Sequence, residues 1–148
     1  MPPHRIGGKD MKRDLGNLIN TYPAFSPTTV GITGAQSVTG ATIDRFGYES
    51  IVFVFTNSTT AHGAQATGIT ITGKIQESVT GSSWADISGA TGYHNVTNTF
   101  SRLEVAVADA TQLKRYVRGV LTAQIDGAGN FLVVDGIAIL GSPKVYPV

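Results

Sequence analysis

The sequence predicts an all-β protein: an antiparallel β-sandwich of jelly-roll-like type, or a barrel, with an extended N-terminal arm. Three observations predict it. Apolar runs of strand length recur from residue 29 to near the C-terminus, among them "ESIVFVFTN", "TGITITGKIQES" and "SRLEVAVAD". Gly, Asn, Asp and Ser clusters separate them, which is the chemistry of tight turns. No comparable 3.6-residue periodicity runs through the body of the chain, so helices would have no stripe to bury. The apolar share, 41% of 148 residues, is enough for one packed domain.

Residues 1–28 read as the arm. Pro2, Pro3, Gly7, Gly8, Pro23 and Pro27 interrupt regular structure, and Leu15, Leu18, Ile19, Tyr22 and Phe25 are too sparse for a core. A short helical turn over residues 12–20 would put Leu15, Leu18 and Ile19 on one face, and Met11 is an alternative start to Met1. Residues 29–148 form a single β domain. "TVGITGAQSVTGATIDRFG" contributes Val30, Ile32, Val38 and Ile43 as apolar points. In "ESIVFVFTN", Ile51, Phe53 and Phe55 share one face and Val52 and Val54 the other, because strand side chains alternate. Ile69, Ile71 and Ile75 alternate with Thr70, Thr72 and Gln76, and Leu103, Val105 and Val107 with Arg102, Glu104 and Ala106. "KRYVRGVLTAQID", the hairpin turn "DGAGN" and "FLVVDGIAILG" follow. Pro143 and Pro147 make the closing "GSPKVYPV" an extended tail.

Two stretches, residues 51–55 and 131–140, are apolar on both faces, whereas a half-solvated antiparallel strand alternates. Covering by loops or by the arm is the plainer account. Contact of one face with another subunit is the sharper one.

Composition narrows function. Charged residues are 14%, against about a quarter in an ordinary domain, and Ser, Thr, Asn and Gly fill the gap. A polar but uncharged surface suits a chain that packs against neighbours or works outside the cytosol. The net charge of +1 gives no pull on nucleic acid. The chain has no cysteine, which removes disulfides, thiolate catalysis and Cys-based zinc sites. His4, His62 and His94 have no partner at metal-ligand spacing, Asp86, Asp109, Asp126 and Asp135 sit at turns or strand ends, and neither a G-x-S-x-G elbow nor a phosphate loop occurs. The expectation is a protein without catalysis, cofactor or metal. The N-terminal stretch lacks the apolar region of a secretory signal, so the sequons at Asn57 and Asn95 are not expected to be glycosylated, and no run has membrane-span length.

Two clusters stand out. Lys114, Arg115 and Arg118 surround Tyr116, but a strand would split them between two faces. Pairing with neighbouring acids or a charged subunit contact fits them better than a phosphate groove. "QESVTGSSWADI" reads as strand, turn, strand and holds Trp84, the only tryptophan. Trp84 could be a sugar platform with Tyr93, or the cover of its own hairpin; the hairpin role is the expected one.

Taken in order, several of these stretches resemble a family of tailed-bacteriophage head proteins. They are the "MK..L..N" start at residues 11–17, "DRFGYESIVFVF", the hairpin "KIQESVTGSSWADI", "LKRYVRGVLTAQ" and the ending "GIAILGSPKVYPV". The resemblance covers residues 11–148, nearly the whole chain. It departs at Thr80-Gly81, where Asp-Gly is usual, and in the ten residues before Met11. The resemblance implies a head decoration, or cement, protein: a structural virion component on the outer surface of the expanded capsid, made in the host cytoplasm, with the major capsid protein as partner. The mechanism expected with it is a symmetric homo-oligomer, with a trimer preferred to a dimer; no nucleic-acid or membrane partner is expected, on the net charge and the absence of a span-length apolar run. Leu15, Leu18, Tyr22 and Phe25 in the arm, with Lys144 and Tyr146 in the tail, are then the expected contacts, and deleting residues 1–27 should abolish binding without unfolding the domain. The alternatives are a carbohydrate-binding module displayed on the virion and a tail or connector component.

Overall fold

The structure is a computed structural model, and it describes residues 19–30, 34–61, 68–96, 101–107, 113–126 and 130–143. These residues form nine strands: β1 (Ile19–Val30), β2 (Gly34–Thr39), β3 (Ile43–Asp44), β4 (Tyr48–Ala61), β5 (Gly68–Ser78), β6 (Ala85–Val96), β7 (Ser101–Ala106), β8 (Tyr116–Asp126) and β9 (Asn130–Pro143). One sheet runs β1-β9-β4-β7 and the other β2-β8-β5-β6, with the two-residue β3 added to β8. Every pairing is antiparallel. The chain crosses repeatedly between the sheets, so strands adjacent in sequence often face each other across the core. That order makes the sandwich a jelly roll rather than a barrel.

The core lies between the sheets and is built on three phenylalanines. Phe55 stacks on Phe25 at 5.6 Å and on Phe53 at 6.0 Å between ring centroids. Ile51, Ile71, Ile75, Leu121, Leu132, Val134 and Leu140 surround them and are almost fully buried. The alternation read from "ESIVFVFTN" holds: Ile51, Phe53 and Phe55 point inward, while Val52 and Val54 face out and are half-buried. So does that of β5, where Ile71 and Ile75 are buried and Thr70, Thr72 and Gln76 are not.

Glycines inside strands make room for the rings. A Cβ on Gly73 would lie 2.7 Å from the Phe55 ring, one on Gly119 2.7 Å from Phe53, and one on Gly136 3.1 Å from Phe25. Sequence reading placed the glycines in turns. Here Gly73 and Gly119 let rings approach from the opposite sheet, and Gly136 makes room for Phe25 and Phe55 on the strands beside it.

The boundary of the arm is corrected. Residues 19–28, expected to lie outside the domain, belong to β1, an edge strand whose ladder to β9 runs from Ile19 opposite Gly141 to Val30 opposite Leu132. Ala24 and Phe25 are core residues, 0% and 8% exposed. The prolines misled because Pro23 and Pro27 are tolerated on an edge, where their missing N–H leaves no central ladder bond unmade. Register shifts between Pro23 and Phe25 and between Phe25 and Thr28 bulge the strand there. Truncation at residue 27 therefore removes part of the core. The helical turn expected over residues 12–20 is not continued at its end, since Ile19 and Asn20 are strand residues of β1; its residues 12–18, the centre of the "DGAGN" turn (127–129), His4, His62 and Asp109 lie outside the described residues.

Candidate interaction surface

The two outer faces of the sandwich differ in chemistry. In an antiparallel ladder, directly opposed residues share a face. On the β1-β9-β4-β7 sheet, one outward row across the strands is Pro23, Ile137, Val54 and Glu104, and the next is Thr21, Ile139, Val52 and Ala106. Ile137 is 43% exposed, and Val52, Val54, Val133 and Ile139 are half-buried. Val54, Thr56, Asp135, Gly136 and Ile137 line a shallow depression of about 210 Å³. Charge on this face is sparse: Arg102 pairs with Glu104 at 3.1 Å on the edge strand β7, and Asp135, on the central β9 beside the depression, accepts a bond from the Gly136 N–H at 2.7 Å. Four strands at about 4.8 Å spacing and six residues of length give this face an extent of roughly 400 Å², with its large apolar side chains on the two central strands β9 and β4. A patch of a few hundred Å² falls in the range found on single domains and is often functional, which makes this face a candidate contact surface.

The β2-β8-β5-β6 sheet presents the opposite character. Its outward rows carry Ser37, Thr122, Thr72 and Tyr93, then Thr39, Val120, Lys74 and Thr91, then Arg118, Gln76 and Asp86. Ser37 and Thr122 share a hydroxyl–hydroxyl bond of 2.7 Å. Val120 on this face is only 6% exposed. Lys74 Nζ donates to Asp86 Oδ2 at 2.9 Å, Gln76 Nε2 to Asp86 Oδ1 at 2.6 Å, and Arg118 Nε to Gln76 Oε1 at 2.8 Å. Those bonds, Gln76 first and Lys74 second, hold the Asp86 carboxyl below its ordinary range.

Trp84 belongs to that network. The Arg118 guanidinium lies 4.3 Å from the centre of its ring, a cation–π contact tying the β5–β6 hairpin to β8. Ser78 shapes the turn, its Oγ accepting from the N–H of Gly81 at 2.9 Å and of Thr80 at 3.3 Å, with Gly81 at φ +80°. A serine thus does the turn-making that an Asp-Gly pair would do. Tyr93 opposes Thr72, six β5 residues from the Ser78 end where Trp84 sits, or about 20 Å away. The two aromatics do not form one sugar platform.

The basic cluster is also partnered. Arg115 makes a forked bond to Asp44, with Nη2 at 2.6 Å from Oδ2 and Nε at 3.0 Å, and lowers the Asp44 carboxyl below its ordinary pKa. Lys114 Nζ lies 3.3 Å from Glu77. Val117 is buried. Arg45, with its guanidinium buried, donates to the carbonyls of Lys114 at 2.8 Å, Tyr48 at 2.7 Å and Leu113, and burial pulls its pKa down from the usual arginine value.

Of the six residues expected as contacts, the structure describes two. Phe25 is a core ring rather than a contact, and Tyr22 is half-buried against the core, its hydroxyl accepting from Asn20 Nδ2 at 2.9 Å. Leu15, Leu18, Lys144 and Tyr146 lie outside the described residues. Sequence reading passed over Phe46 and Val79, which are 78% and 67% exposed. Their signal was position: each stands in a turn bounded by Gly and polar residues.

The strand order and the packed sheets place the chain in the class of jelly-roll β-sandwiches. No family model matches the sequence, and no curated protein matches it. Among solved structures, a chain in the structure of infectious bursal disease virus, Gx strain, is similar with a TM-score of 0.56 and 13% identity, over 86% of this chain and 35% of that one. This chain therefore corresponds to about a third of that chain's length, and at this identity the likeness is one of fold. Desmodium yellow mottle tymovirus (TM-score 0.36, 11% identity, 99% of this chain and 96% of that one) and FlhE (0.31, 10%, 86% and 98%) are too distant in shape to carry an argument.

Proposed function

We propose that the protein is a structural virion component, a decoration or cement protein that binds the outer surface of an expanded phage head and reinforces junctions between major capsid subunits. The observation that carries this reading is the apolar outer face of the β1-β9-β4-β7 sheet, set against a polar, internally bonded opposite face. Such a molecule has one side made for water and one made for another protein. The jelly roll supports the reading, since it is a common scaffold of viral capsid domains, although fold alone does not fix function. Low charge supports it too, because a lattice adhesive works by many modest contacts multiplied by avidity. Copies of the chain meet through the apolar face in a symmetric homo-oligomer, and the self-complementary Arg102 and Glu104 on its margin suit that pairing.

Co-sedimentation of the purified protein with expanded, undecorated heads, counting bound copies, tests the proposal. The expected result is saturation in the hundreds, lost on unexpanded proheads. Ile137→Asp, which puts a charge in the middle of the apolar face, should reduce both the oligomer mass and head occupancy. Binding of about a dozen copies would move the protein to the portal or tail, and no binding would refute the proposal.

A further inference from the structure

A roughly 400 Å² face is about half of what a standard interface buries per partner. A protein that joins its own copies through that face needs a second surface for the shell. One end of the sandwich has the features of that surface. The start of β1 and the end of β9 lie together there, with Ile19 opposite Gly141, and the start of β4 joins them, with Tyr48 opposite Pro143. Residues 1–18 and 144–148 therefore attach to the domain at this end. The turn joining β3 to β4 brings in the other sheet, where Tyr116 opens β8 opposite both Asp44 and Ser78. The turn after Ser78 lies here as well, since a side chain on Gly81 would be 3.8 Å from the Tyr116 ring.

From this end project the most exposed large apolar groups among the described residues, Phe46 and Val79. Phe46 is held in place. Its N–H donates to Asp44 Oδ1 at 3.0 Å, the Tyr48 N–H donates to the Arg45 carbonyl at 3.0 Å, and Gly47 takes the left-handed φ of +89° that closes the turn. The Arg45 guanidinium ties the turn to the carbonyls of Leu113 and Lys114. Arg115 lies between Phe46 and Tyr116, 5.3 and 5.2 Å from their ring centres. An exposed aromatic costs least to bury in a partner when it is already rigid.

The charges at this end satisfy one another: Arg115 with Asp44, and Lys114 with Glu77. A phosphate backbone would need those cations unpaired. We infer that the Phe46–Val79 end is the shell-facing surface, with Phe46 as the anchor seated in an apolar socket on a capsid subunit. The inference rests on the reading of the protein as a head decoration protein, and it assigns the side that meets the shell. Aromatic anchors flanked by arginine are the residues on which interface energy concentrates.

The test is a binding isotherm of the full chain on expanded, undecorated heads, comparing wild type with Phe46→Ser/Val79→Ser and with Phe46→Leu. Phe46 and Val79 are exposed, so the variants should melt close to wild type. The double variant is expected to bind about 30-fold more weakly, the equivalent of a hot spot of about 2 kcal/mol, and Phe46→Leu to retain most of the affinity. Raising salt from about 50 to 200 mM should change wild-type affinity only a few-fold, far less than counterion release would produce. Equal binding by the double variant, or a steep salt dependence, would overturn the inference while leaving the decoration reading intact. Failure of the wild type to bind heads would overturn both. Flotation of the wild type with lipid vesicles, lost in a double variant that still fills heads, would overturn the inference in favour of a membrane.

Discussion

Replacing Gly119 by Ala is the most direct test of how the core is built. The added Cβ would stand 2.7 and 2.9 Å from Phe53 Cδ1 and Cε1 and 3.1 Å from Phe55 Cε1. Carbon atoms pack at about 3.5–4.0 Å, so the rings must retreat by about 0.8 Å. They have nowhere to go: Phe53 and Phe55 are 0% and 1% exposed, stacked on each other, and Phe55 is closed in by Gly73 and Gly136. Overpacking of this kind costs about 1–3 kcal/mol. Relief of glycine's conformational entropy in a strand returns about 0.5–1 kcal/mol. The net runs from about zero to a loss of about 2.5 kcal/mol, or a fall in Tm of up to about 10 °C for a domain this size. Thermal unfolding followed by circular dichroism measures it. Phe53→Leu in the same chain should recover part of the loss, giving a coupling of at least about 0.5 kcal/mol in the double-mutant cycle. A Gly119→Ala protein that melts above the wild-type temperature would refute the reasoning, because the backbone gain would then exceed any clash.

Two further outcomes follow from the corrected boundary and from the ion pair at the Phe46 end. A chain beginning at residue 28 should fail to give a cooperative melt, since losing a buried Phe side chain alone costs about 3–5 kcal/mol of a total of about 5–15, whereas a chain beginning at residue 19 should fold; near-native melting of the shorter chain would contradict the placement of Phe25. The Asp44 carboxyl is lowered in the folded state, chiefly by its bond to Arg115. Its contribution is therefore present above its ordinary pKa of 3.8 and is lost as pH falls below that value. The wild-type Tm should drop as pH is lowered from about 5 to 2, and Asp44→Asn should flatten part of that slope, with a superimposable pH profile counting against the pairing.

The fold class was legible because it rests on period. Alternation in β4 and β5 is visible in "IVFVF" and "ITITGKIQ", and it set both the strands and the buried faces. What escaped was whatever depends on partners far along the chain. Pro23, Pro27 and the spaced hydrophobes of β1 look like a linker until β9, more than a hundred residues away, supplies the ladder that makes Phe25 a core ring. Gly73, Gly119 and Gly136 look like turn residues because nothing local shows that a distant ring, from the other sheet at Gly73 and Gly119 and from the neighbouring strands at Gly136, will occupy the space their missing Cβ leaves.

The interaction surfaces divide in the same way. The double-sided apolar character of residues 51–55 and 131–140 was written in the sequence, with cover by loops or arm and contact with a subunit left as competing accounts. The registers bear on that choice. Opposing Val52 to Ile139 and Val54 to Ile137 gathers the outward residues of two distant strands into one patch, and Ile137 within it is 43% exposed, so among the described residues no segment covers the whole face. Phe46 could not be reached by such reasoning, because a lone aromatic in a turn has no period. Its meaning comes from what surrounds it: an arginine stacked over its ring, whose charge is taken by Asp44. That neutralisation decides what the end can bind. With unpaired cations it would be a site for anions, whereas with the charges matched, the contact proposed for the projecting ring rests on its burial alone.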